Sequence, residues 1–384
     1  MVSKLLIVTF DGDYCGPEVM AEGLKVLAEV NRQHPEIEFD IRSYPLGGVW
    51  LHQVQHMQCL TAWDLYGQAI SQEALDAALA ADAVLVGSVG GPKWADVFPP
   101  VEWGLGTLRR SLDAFGNLRP VRFLDPSQVS LSAYRPEYVA GTDILIVREL
   151  TGGLYSGDRE EPDESLSAAS DVDAYRREEI ERVTRLAGRM ASMRDPPLPV
   201  TSLDKANVLA ACGRLWRRVV TKVMENEFPN VTIRHMLIDS ASMKLGLRPS
   251  GLNGIVLTSN MFGDIISDQA SAIVGSIGML PSASLCDVPD STSSKLVRGL
   301  YEPIHGSAPD IAGKSMANPI GMILSVAMMC RYSLPLADSA DAIEKAVKQT
   351  IEAGVRTADI GGSAATSDVG TSIVANLARL RDVK

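Results

Sequence analysis

The chain has 384 residues, of which 46% are hydrophobic and 22% charged, and its formal net charge is −11. This length and composition are typical of a globular protein with two domains of mixed type, and they argue against disorder. The acidic balance excludes nonspecific nucleic-acid binding, which requires a basic surface. Residues 320–330 form the longest apolar stretch and are too few to cross a bilayer, so we expect no membrane span.

Short apolar runs alternate with helical patterns along the chain. Alternation of this kind predicts an α/β architecture. The polar stretch Ser156–Ser170 is predicted to be a solvated loop. In chain order, we predict a strand at Leu5–Val8, helices at Pro17–Val30 and Gln72–Ala80, strands at Ala83–Val86 and Ile144–Val147, helices at Tyr175–Met190 and Asn207–Glu227, a strand at Gly254–Thr258, and helices at Asn318–Tyr332 and Ser339–Ala353.

Cysteine usage and the amino terminus indicate the compartment. The five cysteines are scattered and odd in number, without the spacing of a disulfide framework or a zinc site. The amino terminus lacks the longer apolar core and small-residue cleavage site of a secretory signal and is typical of a first strand. We therefore expect a cytoplasmic protein with reduced thiols.

Two aspartates four residues apart, Asp264 and Asp268, are the first candidate for chemistry. On a helix, residues i and i+4 lie on one face, so both carboxylates can approach a single divalent cation. The same spacing is also typical of a solvated helix face. A third acid, Asp239, ends an apolar run abruptly, and the three together suggest a buried cation site.

Three arginines stand out by their local context. Arg109 lies on a helical pattern, Arg119 precedes a proline, and Arg148 follows the predicted strand Ile144–Val147. Guanidinium groups hold carboxylates through forked hydrogen bonds, so three of them converging beside a metal would suit a di- or tricarboxylate. Taken singly, each arginine is more often part of a surface ion pair.

Two further residues are candidates for proton transfer. Lys205 follows Asp204 at the end of an apolar run, and a lysine held near a cation loses its proton easily, as a general base requires. Tyr155 follows the flexible pair Gly152-Gly153 and is suited either to giving a proton or to a structural role.

The segment from Glu302 to Lys314 is rich in small residues and contains His305. Small residues let backbone groups reach a nucleotide, and Asp310 is suited to accept hydrogen bonds from ribose hydroxyls. No G-x-G-x-x-G motif follows a strand, so a cofactor here would not be held in Rossmann fashion. A turn-rich loop without a ligand remains the other interpretation.

Several segments together resemble the β-decarboxylating dehydrogenases, and within them the branch that oxidises isopropylmalate. The resemblance covers nearly the whole chain and implies two α/β domains that flank a cleft. The first domain would comprise residues 1–114 and 275–384, and the second residues 115–274. The matching segments are Gly87–Trp94, Asn117–Pro120, Val147–Gly153, Asp204–Val208, Asn260–Asp268, Leu280–Ser284 and the loop around His305.

This resemblance implies an NAD-dependent oxidation of a 3-substituted malate, followed by loss of CO₂, with Mg²⁺ or Mn²⁺ as the metal. Lys205 would be the base and Tyr155 the proton donor to the enolate. Lys205 and Asp239 would come from the neighbouring subunit, so a homodimer with shared active sites is implied. Arg109, Arg119 and Arg148 would bind the malate carboxylates, and Asp239, Asp264 and Asp268 the metal.

The resemblance also assigns the cofactor site to the loop after residue 301. Asp310 would favour NAD because a 2′-phosphate would meet its negative charge. The residues implied in cofactor binding are Glu302, His305, Gly306, Ser307, Ala308, Asp310 and Asn318.

Three departures from the family pattern bear on activity. Tyr14 and Cys15 stand where the family usually has glycine and isoleucine, and residues 50–61 resemble an insertion. Leu105 and Val208 match the isopropylmalate enzymes, but Gly106 replaces a second leucine that contacts the isopropyl group there. The lost side chain opens space for a larger substituent, unless a residue such as Trp103 fills it.

The expected substrate is therefore 3-isopropylmalate, oxidised to 2-oxoisocaproate in leucine biosynthesis. A bulkier malate such as 3-benzylmalate is the alternative within the family. A non-catalytic regulatory or cofactor-binding relative is the alternative from another class. Such relatives usually lack a base or a metal ligand, whereas Lys205, Tyr155 and the three aspartates are all present.

Overall fold

The computed structural model describes residues 3–48, 62–162, 166–289 and 296–381. Residues 50–61, the apparent insertion, lie outside these ranges. The strands in the described part of the chain are β1 (Ser3–Gly12), β2 (Ile37–Ser43), β3 (Ala83–Ser88), β4 (Gly116–Arg122), β5 (Asp143–Glu149), β6 (Arg159–Glu160), β7 (Ser170–Asp171), β8 (Val200–Asp204), β9 (Ile233–Leu237), β10 (Gly254–Thr258), β11 (Pro281–Leu285) and β12 (Gly299–Pro303).

Helices follow most of these strands. Those described are α1 (Gly16–Gln33), α2 (Ala62–Tyr66), α3 (Gln72–Ala80), α4 (Trp103–Ser111), α5 (Pro136–Val139), α6 (Arg177–Ser192), α7 (Ala210–Glu227), α8 (Ile238–Leu247), α9 (Asn260–Ser271), α10 (Ile320–Tyr332), α11 (Ala337–Glu352) and α12 (Thr366–Arg381).

Ten of the described strands form one mixed sheet, in the order β2-β1-β3-β12-β11-β4-β5-β10-β8-β9. Strand β11 runs antiparallel to both of its neighbours, and β4 runs antiparallel to β5, while the remaining pairs are parallel. The sheet therefore has two parallel parts joined by antiparallel strands, which confirms the predicted α/β class. Strands near both ends of the chain build the β1 part, as the predicted domain division requires, but that division itself stays a prediction.

The sequence dictates these elements through buried apolar runs. Strands β3 and β10 are buried at every position, as expected of parallel strands covered on both faces. Helix α10 is buried from Ile320 to Cys330, so the long apolar stretch is an internal helix. It packs with α1 against the β1 part of the sheet and contacts α11, while α6 and α7 cover the β10 part. No helix in the described ranges is long and apolar enough to cross a membrane.

All predicted helices and strands are confirmed within a few residues at their ends. Two differences have physical causes. The stretch predicted as a solvated loop, Ser156–Ser170, carries the short antiparallel pair β6 and β7 near its ends. Strand β4 was not predicted because Arg119, Pro120 and Arg122 interrupt its apolar pattern, and pairing with β5 and β11 on either side supplies the order that the pattern lacks.

Candidate active site

Neighbouring strands bring Arg119 and Arg148 to one face of the sheet. Arg148 on β5 lies opposite Asn117 on β4, and Arg119 is two residues beyond Asn117, so both arginines point the same way. Helix α9 covers them, and Gly263 makes the close approach possible. A Cβ atom at Gly263 would lie only 2.6 Å from Arg148 Cγ.

The two arginines contact the aspartates of α9. Arg148 Nη1 donates to Asp264 Oδ1 at 2.5 Å, and its Nε and Nη2 donate to Asn260 Oδ1. Arg119 Nη1 donates to Ser267 Oγ at 2.6 Å and lies 3.4 Å from Asp268 Oδ1 and 3.6 Å from Asp264 Oδ1. The two carboxylates one turn apart therefore face a common space, as their spacing predicts.

Arg109 on α4 completes the cationic group. Its Nη2 donates to Glu302 Oε1 on β12 at 2.5 Å. Burial, and then the charge of Arg148, lower the pKa of Arg119 to about 10, and Arg109 acts in the same direction. Burial and Arg109 likewise lower the pKa of Arg148, against the opposing field of Asp264. The three predicted arginines thus share one electrostatic environment in which anions are strongly favoured.

Asp264 and Tyr155 form a hydrogen-bonded pair in this environment. Tyr155 Oη donates to Asp264 Oδ2 at 2.7 Å. Burial acts to raise the pKa of Asp264, but Arg148, Tyr155 and Arg119 outweigh it and hold that pKa below its usual range. Burial, and then the bond to Asp264, raise the pKa of Tyr155. At neutral pH the pair is therefore a carboxylate beside a protonated phenol.

The pKa of Asp268 is shifted in the opposite direction from that of Asp264. Burial raises the pKa of Asp268, and the negative charge of Asp264 adds to this, while Arg119 opposes both. A divalent cation at this position would favour the ionised form of both groups. The oxygen-only donor set suits Mg²⁺ or Mn²⁺.

Lys205 and Asp239 lie together at another place on the chain. Strands β8 and β9 are parallel neighbours whose ends pair Asp204 with Leu237, and this puts Lys205 next to Asp239 in the first turn of α8. Lys205 Nζ lies 2.8 Å from Asp239 Oδ2, and this contact lowers the pKa of Asp239. Among the described residues, no three acids, histidines or cysteines form a metal-binding group. One chain thus brings together two of the three predicted metal ligands.

An exposed apolar surface borders the Lys205–Asp239 pair. Val208 follows Lys205 and is 68% exposed, while Met243 and Leu247 on α8 and Ile265 on α9 are each 58–64% exposed. Helices α8 and α9 are joined where Ser242 Oγ donates to Gln269 Oε1 at 2.8 Å. Ile265 follows Asp264 directly in the sequence, so one residue of this surface lies on α9, the helix that carries the two facing aspartates.

The turn after β1 anchors the loop predicted to bind the cofactor. Glu18 accepts hydrogen bonds from Gly313 N at 2.5 Å and from Ser315 N at 3.2 Å. The amide of Cys15 donates to the carbonyl of Ser307 at 3.0 Å. These contacts fix the backbone on both sides of Asp310, which is itself exposed.

Two side chains of this loop have informative hydrogen bonds. His305 Nδ1 lies 2.8 Å from the carbonyl of Gly306, so Nδ1 carries the proton. Burial lowers the pKa of His305 and keeps the ring neutral. Its Nε2 is buried and has no hydrogen-bond partner within the described ranges, which leaves an acceptor for a ligand. Asn318 Nδ2 donates to Asp359 Oδ2 at 2.9 Å.

The departures at Tyr14 and Cys15 are accommodated locally. Tyr14 has a φ of +52°, the left-handed conformation that glycine adopts without cost. Its ring packs edge-on against Trp94 with centroids 5.9 Å apart. Cys15 is fully buried, and burial raises the pKa of its thiol to about 12, so the thiol is inert.

The space at Gly106 is open. A Cβ atom built there would meet, of all atoms in the described part of the chain, only Arg110 Nη1 within 4 Å, at 3.4 Å. Trp103 instead packs edge-on against Phe98 with centroids 5.7 Å apart. Trp103 therefore does not lie within 4 Å of a Cβ atom built at Gly106. Leu105 is partly buried against the core formed by β1 and β3.

Sequence reasoning missed the residues that hold the predicted ones in place. Asn260, Ser267 and Asn117 orient the arginines, and each lies inside a segment that carried the resemblance. Glu18 lies three residues after Cys15, beside a departure from the family pattern. Asp359 had no local signal, because its contact with Asn318 depends on packing between distant parts of the chain.

The chain is similar to known proteins over nearly its whole length. The chain is 62% identical over 377 residues to the 3-isopropylmalate dehydrogenase AMT6 of Alternaria alternata, covering 98% of each chain. It is 56% identical over 383 residues to the 3-isopropylmalate dehydrogenase gloI of Glarea lozoyensis, covering 100% of each. The crystal structure of a β-decarboxylating dehydrogenase from Thermococcus kodakarensis matches with a TM-score of 0.75 and 34% identity, covering 98% of this chain and 97% of that one.

A family model described as isocitrate/isopropylmalate dehydrogenase matches residues 6–374, which include every element of the sheet except the first residues of β1. The match and the two relatives confirm the resemblance drawn from the sequence. The chain belongs to the isocitrate/isopropylmalate dehydrogenase family.

Proposed function

We propose that this chain catalyses the NAD- and divalent-metal-dependent oxidative decarboxylation of a 3-substituted malate, with 3-isopropylmalate as the leading substrate. The observation that carries the proposal is the convergence of three arginines beside two carboxylates one helical turn apart. Relatives at 62% and 56% identity that are named 3-isopropylmalate dehydrogenases support the choice of substrate.

Substrate binding follows from the charges. Arg109, Arg119 and Arg148 bind the two malate carboxylates, since buried guanidinium groups form strong forked bonds to carboxylates. Asp264 and Asp268 hold Mg²⁺ or Mn²⁺ together with Asp239 of a second subunit. The metal, when bound, supplies a Lewis acid that polarises the 2-oxygen and stabilises the enolate left by CO₂.

Two side chains move protons. Lys205 is suited to take the proton of the 2-hydroxyl group, and NAD⁺, when bound, would supply the acceptor for the hydride of carbon 2. Loss of CO₂ then leaves an enolate, and Tyr155 gives its proton to carbon 3. Tyr155 is suited to this step because its raised pKa keeps the phenol protonated at neutral pH.

The proposed site requires a homodimer. Within one chain, Asp239 is paired with Lys205 at the border of an exposed apolar surface formed by Val208, Met243, Leu247 and Ile265. Apolar side chains exposed together mark an interaction site, and the same surface on a second copy would cover them. Such a dimer would carry Lys205 and Asp239 into the cleft of the other subunit.

The loop after β12 fits the adenosine half of NAD. His305 Nε2 is a buried acceptor for a donor such as the adenine amino group. Asp310 presents a negative charge that would repel a 2′-phosphate, so NAD is favoured over NADP.

Steady-state kinetics test the proposed function. We expect NADH formation from 3-isopropylmalate with NAD⁺ and Mg²⁺, its loss on addition of EDTA, and much slower turnover with NADP⁺. Absorbance at the NADH band and detection of 2-oxoisocaproate provide the readouts. If the purified protein binds Mg²⁺ but turns over neither 3-isopropylmalate nor 3-benzylmalate, the non-catalytic alternative replaces the proposal.

A larger substrate is the second candidate because of the open space at Gly106. Among the residues that the structure describes, only the flexible end of Arg110 lies within 4 Å of a Cβ atom built at this position. A leucine at position 106 would fill this space, whereas with Gly106 a benzyl group of the substrate would occupy it. Preference for 3-isopropylmalate by a large factor in the same kinetics would exclude this candidate.

Replacing Glu18 by alanine is expected to weaken NAD⁺ binding about tenfold, since a hydrogen bond to a charged group is worth about 1.5 kcal/mol or more. Glu18 holds the amides of Gly313 and Ser315 on the cofactor loop. Fluorescence titration with NADH gives the dissociation constant. The exposed Glu178→Ala is the matched control and should bind NADH like the wild type. Unchanged affinity in Glu18→Ala would show that the loop does not hold the cofactor.

A further inference from the structure

The ion pair between Arg109 and Glu302 connects the proposed substrate site with the segment that leads to the cofactor loop. Arg109 Nη2 donates to Glu302 Oε1 at 2.5 Å, and the Glu302 side chain is only 8% exposed. Arg109 Nε is buried and has no hydrogen-bond partner among the described residues. Nε and Nη2 form the fork that suits a carboxylate, but Glu302 uses only the Nη2 donor of that fork.

Strand β12 fixes the backbone at Glu302. Glu302 pairs with Ser282 on β11, and β3 pairs with β12 on its other side. The chain continues from Glu302 through Ile304, whose amide donates to the carbonyl of Leu280 at 3.0 Å, to His305. Because the sheet holds the backbone here, a rearrangement at Glu302 would change the partner of its side chain and leave the backbone in place.

Charge balance shows what substrate binding would do to this pair. Without ligands, Arg109 faces Glu302, while Arg119 and Arg148 face Asp264 and Asp268. In the proposed complex the metal takes the two aspartates, and the substrate's two carboxylates take the arginines. Glu302 is then a buried carboxylate without its counter-charge, which is strongly unfavourable unless a new partner appears.

We propose that Glu302 is a positioning residue whose carboxylate changes its partner, from Arg109 in the free protein to the oxidised cofactor in the complex with substrate. A substrate carboxylate displaces Glu302 from Arg109, and the released carboxylate is compensated by the positive charge of the oxidised nicotinamide. Substrate and NAD⁺ therefore bind more tightly together than apart, and the effect of each on the other is equal. This inference rests on the proposed function and deepens it.

Isothermal titration with a substrate analogue tests the exchange. 2-Isopropylsuccinate has both carboxylates but no hydroxyl group, so it cannot be oxidised and NAD⁺ can be present; 2-benzylsuccinate replaces it if 3-benzylmalate is the better substrate. With Mg²⁺ throughout, NAD⁺ is expected to lower the wild-type Kd of the analogue about tenfold. Without NAD⁺, Glu302→Gln is expected to bind the analogue more tightly than the wild type. Addition of NAD⁺ should then lower the Kd of this variant much less than it lowers the Kd of the wild type.

The Glu344→Gln variant is the matched control. It removes the same charge from the Arg122–Glu344 pair, where the two side chains are 2.7 Å apart and outside the site, so both dissociation constants should equal those of the wild type. If Glu302→Gln shows no cooperative unfolding transition, Glu302→Asp carries the test. The aspartate side chain is shorter, so its carboxylate lies farther from Arg109. The variant should therefore bind the analogue more tightly than the wild type without NAD⁺, and NAD⁺ should still lower its Kd.

The proposal is overturned if a folded Glu302 variant keeps both the wild-type Kd without NAD⁺ and the wild-type gain with it. It is also overturned if NAD⁺ leaves the wild-type Kd unchanged. A tighter cofactor-free Kd in Glu302→Gln supports it, because a purely structural role would weaken binding. Failure of the proposed function is distinguished by the separate turnover measurement, in which neither malate would yield NADH.

Discussion

Two inactive variants, Lys205→Met and Arg148→Lys, are expected to form an active heterodimer. Lys205→Met removes the proposed base and should lower kcat by about 10²- to 10⁴-fold. Arg148→Lys keeps the charge beside Asp264 but loses the fork that also reaches Asn260, and misplaced substrate should cost at least about 100-fold. Neither homodimer retains an intact site.

In the heterodimer the two defects fall into the same site. One site combines the intact Arg148 of the Lys205→Met subunit with the intact Lys205 of its partner, and the other site carries both changes. A heterodimer purified through two different affinity tags should therefore show about half of the wild-type activity per dimer, as twofold symmetry requires. Initial rates of NADH formation give the measurement.

Lys222→Met provides the matched control for this experiment. Lys222 is exposed on α7, so its replacement should leave the activity of the homodimer intact. If Lys205 acted in the site of its own chain, both sites of the heterodimer would be defective and no activity would return. That outcome would overturn the shared-site proposal while leaving the reaction itself in place.

Local sequence was sufficient for the parts of the site that lie on one element. The spacing of Asp264 and Asp268 predicted that both would face the same way, and α9 presents both to Arg119. The abrupt end of an apolar run at Asp239 marked the end of β9, although the helix α8 that begins there was not predicted. These features depend on helical and strand periods, which the sequence encodes directly.

Contacts between distant segments could not be predicted from the residues alone. The Arg109–Glu302 pair spans 193 positions and exists because α4 and β12 meet in the folded chain. The pairing of Lys205 with Asp239 depends on β8 and β9 being neighbours in the sheet, and no local pattern encodes which strands pair. The resemblance to a family supplied roles for these residues but none of these partners.

Replacing Gly106 by leucine is expected to change the substrate preference most strongly. Leucine adds four side-chain carbons at a position where, of the described residues, only Arg110 Nη1 lies within 4 Å of a Cβ atom, so it should restore apolar contact with an isopropyl group and obstruct a benzyl group. The ratio of kcat/KM for 3-isopropylmalate to that for 3-benzylmalate should rise about 100-fold, corresponding to the 2–3 kcal/mol that such contacts are worth. Steady-state kinetics with both malates measure this ratio.

The Gly106→Ala variant separates pocket filling from helix stability. Alanine and leucine both favour the helical conformation over glycine, by up to about 1 kcal/mol, so α4 should be stabilised in both variants. Only leucine extends far enough to reach a substituent, whereas the alanine Cβ stops at an ordinary contact with Arg110. An unchanged ratio in Gly106→Leu, with folding confirmed by thermal unfolding, would show that Gly106 does not line the substituent pocket. A rise in Gly106→Leu that Gly106→Ala does not show would identify Gly106 as the position where this chain sets the size of its substrate.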